Sequence, residues 1–316
     1  MRRRRVLVAL LAVPWVLWAL ARTLALDGGH PLVAAISFTP YAAASAVVPV
    51  LVAVAVREWV VAAVAGLALA AFAFAVAPRA LDGPQYAEAG APGRPLVVMS
   101  ANLLFGEADA RDILRLVREH DVDVLSLQEL TPEAVERLDA AGARGLLAGR
   151  ALDPQPGSSG SGLMARSPLR RVPAPAPGRE RQLQAVLRLP AGRQLGLVAV
   201  HPFPPLSAQS VREWQAVLRA LPAPVQDGRP QLLAGDFNAT LDHRELRRVL
   251  DRGYRDAADA TGDGLRATFP AGRTLGAITI DHVLVPPGVR VRRTATHVVR
   301  GSDHRVLIAE LLLPAP

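Results

Sequence analysis

The chain has 316 residues, enough for one large domain or two small ones, and all 36 of its basic residues are Arg, giving a formal net charge of +8. It contains no Cys, which excludes disulfides, thiolate metal sites and a Cys nucleophile. The charge is spread over both parts of the chain, so the basic excess alone does not argue for nucleic-acid binding, although Arg suits phosphate geometry.

Three apolar runs come first. Residues 6–26 follow the Arg cluster at 2–5 and are interrupted only by Arg22, whose stem can snorkel. Residues 31–56 carry no charge over 26 residues, and 59–78 carry none over 20. A membrane span needs about 20 mainly apolar residues. The reading is therefore an all-α transmembrane unit of three helices at 1–78, with spans at about 6–26, 33–56 and 59–78. Ala19-Leu20-Ala21 resembles a signal cleavage site, but two further spans directly behind it favour a retained helix. The Arg cluster places the N-terminus in the cytoplasm, and the link Arg57-Glu58 returns the chain to that side. Three spans then deliver the remainder outside the cell. Trp15, Trp18 and Trp59 suit the membrane interface. The bilayer is the expected partner of this unit, and no protein partner is expected.

Residues 79–94, rich in Gly, Pro and Ala, read as a linker to a domain at 95–316. There, short apolar runs alternate with charged amphipathic segments, the texture of an α/β or α+β domain. "PLVVMSANLL" is a strand ending on Asn102, "DARDILRLVREH" a helix, and "DVLSLQEL" a strand ending on Glu129. Thr131 can cap the next helix, with Pro132 at its first position. "LQAVLRLP" and "QLGLVAVHPF" form a hairpin whose second strand runs out at His201. After the helix "SAQSVREWQAVLRAL", the strand "QLLAGDFNAT" ends on Asp236 and Asn238. "ITIDHVLV" carries Asp281 and His282, and "HRVLIAELLL" is the last strand.

Asn102, Glu129, His201, Asp236, Asn238, Asp303 and His304 thus all sit where an apolar run meets a loop, where sites of α/β proteins are commonly built. Carboxylates and carboxamides are hard ligands for Mg²⁺, Mn²⁺ or Ca²⁺. Two His beside such a cation would supply a base and a donor to a phosphoryl oxygen. Each residue also has a plain reading: Asn102 and "GDFN" as turns, Glu129, Asp242 and His243 as helix-start residues, His201 as a loop residue before Pro202.

Taken in order, "MSANLLFG", "DVDVLSLQEL", "SGLMARSPL", "VAVHPFPP", "LAGDFNAT", "TIDHVLV" and "GSDHRVLIAEL" resemble the successive motifs of the endonuclease/exonuclease/phosphatase superfamily, whose members include DNase I-like and exonuclease III-like enzymes. The resemblance implies an α/β (α+β) four-layer sandwich of two mixed β-sheets flanked by helices. It also implies that Glu129 ligates a divalent cation, with Asn102 and Asp303 completing or neighbouring that site. Asp236 and Asn238 would position the attacking water and the phosphate, and His201 would donate to a phosphoryl oxygen. His304, oriented by Asp281, would be the general base or the transition-state partner; whether Asp236 or His304 takes the proton stays open. His282 stands where the family commonly has Tyr. Arg166 and Arg181 are candidate phosphate contacts or members of a solvated strand face.

The expected function is a membrane-anchored phosphoesterase dependent on Mg²⁺, Mn²⁺ or Ca²⁺. It would act outside the cytoplasm on the phosphodiester of DNA or RNA, or on a phospholipid headgroup or other phosphorylated small molecule. The alternative is a non-catalytic envelope module that retains the fold.

Overall fold

The computed structural model describes residues 2–81, 95–174, 180 and 182–314. The N-terminal unit begins with α1 (Arg2–Thr23) and ends with α5 (Trp59–Val76), two helices long and apolar enough to cross a membrane. Between them the chain forms three short helices, α2 (Leu32–Ile36), α3 (Thr39–Ser45) and α4 (Val47–Ala55), rather than the single span expected over 33–56. Proline explains the breaks. Pro40 lies at the start of α3 and Pro49 in the first turn of α4, positions that tolerate a residue without an N–H but do not continue a preceding helix. Of the three expected spans, two are therefore continuous helices of spanning length.

Small residues allow these helices to approach closely: Ala12, Ala53 and Ala65 pack with Val8 and Val61, and Ala19, Ala46 and Ala68 with Phe72. The opposite faces stay apolar and uncovered, with Leu7, Leu67 and Phe74 pointing outward. The linker expected at 79–94 lies outside the described residues from 82 onward, while residues 77–80 form a 3-10 turn with Arg79 buried.

The second unit comprises, in chain order, β1 (Leu96–Asn102), α6 (Ala110–Glu119), β2 (Val124–Gln128), α7 (Pro132–Ala140), α8 (Ala143–Leu146), β3 (Gly149–Asp153), β4 (Ser161–Ala165), β5 (Leu169–Val172), β6 (Leu183–Arg188), β7 (Gln194–Val200), α9 (Ala208–Ala220), β8 (Val225–Gln226), β9 (Arg229–Asp236), α10 (Arg244–Leu250), β10 (Arg255–Asp256), α11 (Ala257–Ala260), β11 (Asp281–Val285), β12 (Arg290–Val298) and β13 (Arg305–Leu312). Local signals set many of these boundaries. Asp109 caps α6, Thr131 caps α7 ahead of Pro132, and Ser207 and Ser210 form a capping box at α9.

One sheet runs β12-β13-β1-β2-β4-β3 and the other β10-β11-β9-β7-β6-β5, with β8 paired to β9. Both are mixed: β1 pairs parallel with β2 and β7 parallel with β9, and the remaining pairings are antiparallel. Alternation along each strand divides its side chains between two cores. Val98, Val124, Leu197, Leu232 and Leu307 fill the space between the sheets. Met99, Leu125 and Leu127 meet Ile113, Leu114 and Val117 of α6 on one outer side, and Val198, Leu233 and Phe237 meet Trp214 of α9 on the other. The result is a four-layer sandwich with central strands buried on both faces.

Candidate active site

The register of the strands brings their polar ends together. In the parallel pair β1–β2, Asn102 lies opposite Gln128, and Glu129 follows directly. In the antiparallel pair β9–β11, Asp236 lies opposite Asp281. The chain turns sharply at these ends, where Leu104, Phe105, Glu129 and Asn238 all have φ between 45° and 56°. Left-handed backbone is costly for residues other than Gly and is commonly retained at functional sites. At Glu129 it aims the carboxylate back over the end of β1, where Oε2 accepts from Phe105 N–H at 2.7 Å.

Asn102 joins the two sheets. Its Nδ2 donates to Glu129 Oε1 at 3.1 Å and to Asp236 Oδ2 at 3.2 Å, while Leu104 N–H donates to its Oδ1 at 3.0 Å. Asp236 Oδ1 accepts from Asn238 N–H at 2.8 Å, and Asn238 Nδ2 reaches Pro202 O at 3.0 Å. His201 Nε2 lies 3.9 Å from both Glu129 Oε1 and Asp236 Oδ2. His304 Nδ1 donates to Asp281 Oδ2 at 2.9 Å, and its Nε2 stands 3.8 Å from Asp236 Oδ2 and 3.9 Å from Asp303 Oδ1. Asn102, Glu129, His201, Asp236, Asn238, Asp281, Asp303 and His304 all fall within this one cluster.

Their environments push the titrating groups apart. Burial raises Asp236, with His304 and His201 only partly offsetting it, and burial likewise raises Glu129 against the pull of the Phe105 N–H and Asn102. His201 is lowered by burial and so is neutral. Burial acts on His304 in the same sense, but the carboxylates of Asp281 and Asp236 overcome it and hold the imidazole up to about 10. Two neighbouring histidines therefore present a neutral and a charged ring to the same carboxylate.

The donor set suits a hard divalent cation. Glu129, Asp303 and Asp236 converge with two carboxamides, and Asp303 Oδ1 is buried without a hydrogen bond among the described residues. Among the described residues, no group of three or more His, Cys, Asp or Glu side chains is placed to hold a metal ion by itself, so a cation here would rest on one or two carboxylates with carboxamide and water ligands. Mg²⁺ in particular keeps several waters and is held by one or two carboxylates, so an open set of this kind fits it.

Several residues that hold the cluster carried no sign in the sequence beyond their place near a motif. Ser302 Oγ donates to Asn102 O at 2.8 Å and accepts from His304 N–H at 3.0 Å, pinning the end of β1 to the start of β13. Gln182 grips the backbone of His201 through both its N–H and its C=O. Phe269 packs on the His304 ring with centroids 4.8 Å apart, and Thr268 Oγ1 accepts from the N–H groups of Ile280 and Asp281.

Other residues lie elsewhere. Arg166 is at the far end of β4, where it donates to Val122 O and Asp121, and Arg181 lies outside the described residues. His282 points away from Asp281 and is buried. Its Nδ1 donates to Asp256 Oδ2 at 2.7 Å and its Nε2 to Ala239 O at 2.8 Å. Burial alone would lower His282, yet Asp256 more than compensates and the ring is raised, as two donated bonds require. Asp242 and His243 do more than start α10: the buried Asp242 carboxylate binds Arg79 and Arg22, and His243 Nε2 meets Val33 O at 2.8 Å.

A family model described as the endonuclease/exonuclease/phosphatase family matches residues 99–304. No curated protein matches the chain. Among solved structures, an endonuclease/exonuclease/phosphatase from Beutenbergia cavernae superposes with a TM-score of 0.55 at 21% identity, covering 71% of this chain and 72% of that one. An AP endonuclease from Archaeoglobus fulgidus gives 0.55 at 18% identity, covering 68% of this chain and 98% of that one. The TDP2 of D. rerio, complexed with a single-strand DNA product, gives 0.50 at 18% identity over 69% and 99%.

Proposed function

The chain belongs to the endonuclease/exonuclease/phosphatase family, and from that premise we propose that it is a membrane-anchored, divalent-metal-dependent phosphoesterase acting outside the cytoplasm. The observation that carries the reading is the Asp281–His304 pair at 2.9 Å, directed at Asp236 beside Glu129 and Asn102. A phosphodiester is an anion that resists hydroxide, so its hydrolysis needs charge neutralisation, an aligned water and a stabilised leaving oxygen.

In this scheme Glu129, with Asp303 and Asn102 beside it, would hold the cation. When bound, the cation would neutralise charge on the phosphoryl oxygens and would lower the pKa of water. His304 has carboxylates on both nitrogen edges and is held as an imidazolium, so it serves as a donor to a phosphoryl oxygen. His201, neutral and 3.9 Å from Asp236, donates from Nε2 to a second oxygen. Asp236 then takes the proton of the attacking water at Oδ2, the oxygen that faces both histidines. Asn238 fixes that carboxylate through its backbone N–H. Tethering suits either a phospholipid headgroup or external nucleic acid, and the DNA product held by the D. rerio structure keeps a nucleic-acid substrate in view.

Glu129→Ala should abolish Mg²⁺-dependent hydrolysis of bis-p-nitrophenyl phosphate, and EDTA should do the same to the unaltered protein. Activity that survives both would refute the metal assignment.

A further inference from the structure

We propose that the cleft between the N-terminal helices and the outer domain is a second, non-catalytic site that binds the phosphate of an anionic phospholipid headgroup. One acyl chain would lie in the aromatic groove beside it. The inference rests on reading the N-terminal unit as membrane-embedded.

The cleft has a volume of about 670 Å³ and is walled by Ser37 and Tyr41 on one side and by Arg266, Arg273 and Arg305 on the other. Ligand sites of about 300–1,000 Å³ are typical, so a headgroup fits. Its charge is uncompensated. Arg273 and Arg305 have no ion-pair partner among the described residues, whereas Arg266 is paired with Asp263 at 2.9 Å. Among the described residues Asp242 is the one acid in the lining, and it is already shared by the guanidiniums of Arg22 and Arg79, so that trio too remains net positive. Guanidinium groups match phosphate oxygens in geometry as well as charge.

A second, apolar groove of about 280 Å³ adjoins the cleft. It is lined by Pro14, Trp15, Trp18 and Phe38, and Tyr41 lines both cavities. The indole N–H groups of Trp15 and Trp18 are spent on Ser45 and Thr39. The groove therefore offers an acyl chain little but apolar surface. The C-terminal end of α1, the start of α3 and the turn after α5 meet here, which is the level a headgroup would occupy if these helices span the bilayer. A cationic cleft joined to an apolar groove fits a lipid better than a free anion. The site is also separate from the catalytic cluster. Arg305 follows His304 but lines the cleft, while His304 faces Asp236.

The test uses the full chain purified in detergent with EDTA present, so that no lipid is hydrolysed. Thermal unfolding and native mass spectrometry are run with phosphatidylglycerol, phosphatidylcholine and inorganic phosphate in parallel. Phosphatidylglycerol should raise Tm and remain bound, while the other two should not. Arg273→Gln and Arg305→Gln should each weaken its retention by about tenfold, as loss of a charged hydrogen bond implies, and Arg273→Lys should restore part of it. Arg273 is exposed, so its replacement keeps the test valid even if the half-buried Arg305 proves structural. Equal retention of phosphatidylcholine, wild-type retention by both Gln variants, or a Tm shift from phosphate matching that from the lipid each overturns the proposal. Release of the protein from membranes by alkaline carbonate overturns the anchoring reading and this proposal with it. Lost lipid selectivity in protein that stays with the pellet overturns this proposal alone.

Discussion

His201 and His304 face the same Asp236 carboxylate, but His304 Nδ1 donates to Asp281 Oδ2 at 2.9 Å, whereas the nearest carboxylate oxygen behind His201, on Glu180, stands 4.0 Å from its Nδ1. Burial lowers His201, whereas the carboxylates of Asp281 and Asp236 overcome burial and raise His304. Asp281→Asn removes the carboxylate while preserving shape, so the His304 ring loses both its preferred tautomer and the reason to stay protonated. We expect kcat for a soluble diester to fall by about 10²-fold or more with KM little changed. An unchanged kcat would show that Asp281 orients nothing that matters. His282 makes a different prediction. Its pKa is raised in the folded protein, so its bonds to Asp256 and Ala239 contribute fully below the unfolded value near 6.5 and are lost as pH rises through the folded value. A neutral ring can donate only one of the two bonds. His282→Gln should cost roughly 3–5 kcal/mol at pH 6, because it leaves Asp256 buried without its partner. The gap between the two proteins should narrow in thermal melts as pH rises through the raised folded value, and a pH-independent gap would contradict the charged state. The sequence marked position 282 as a departure from the family's Tyr, but it could not show the ring turned away from the cleft. Its partner Asp256 lies 26 residues away.

At the scale of elements, the strand ends were legible because each apolar run stops at a polar residue, and period-two alternation assigns the faces. Thus Asn102 and Asp236 close β1 and β9, and Glu129 and His201 directly follow β2 and β7. The middle apolar run resolves into shorter helices, with residues 39–55 forming one apolar stretch below spanning length. Composition satisfies a 26-residue span and a set of short helices alike, and only Pro40 and Pro49 distinguish them. The junction between units was also hidden, since an Arg–Asp pair separated by 163 residues leaves no local signature. That junction begins four residues beyond Asn238, where Asp242 receives Arg79 and Arg22. Arg79→Ala should therefore accelerate backbone hydrogen exchange over residues 237–243 more than anywhere else in the second unit. Exchange unchanged in this loop would mean that the ion pairs do not brace it.

Across the whole molecule, outward-facing Leu7, Leu67 and Phe74 on the N-terminal helices would be costly in water and are neutral in lipid. The proposed orientation, with Arg2–Arg5 in the cytoplasm, predicts that protease added to intact cells stripped of their wall removes the second unit. Cleavage seen only after lysis would reverse the orientation.

The sequence by itself determined the family resemblance and the identity of the polar residues at the strand ends. These are properties of composition, local periodicity and motif order. Only the tertiary structure decided which of those residues touch, that burial lowers His201 while Asp281 and Asp236 raise His304, that His282 braces the opposite face of its strand, and that a cationic cleft opens between the units. Each of those depends on distances between segments remote in the chain, and electrostatic and hydrogen-bond energies follow distance in space rather than separation in sequence.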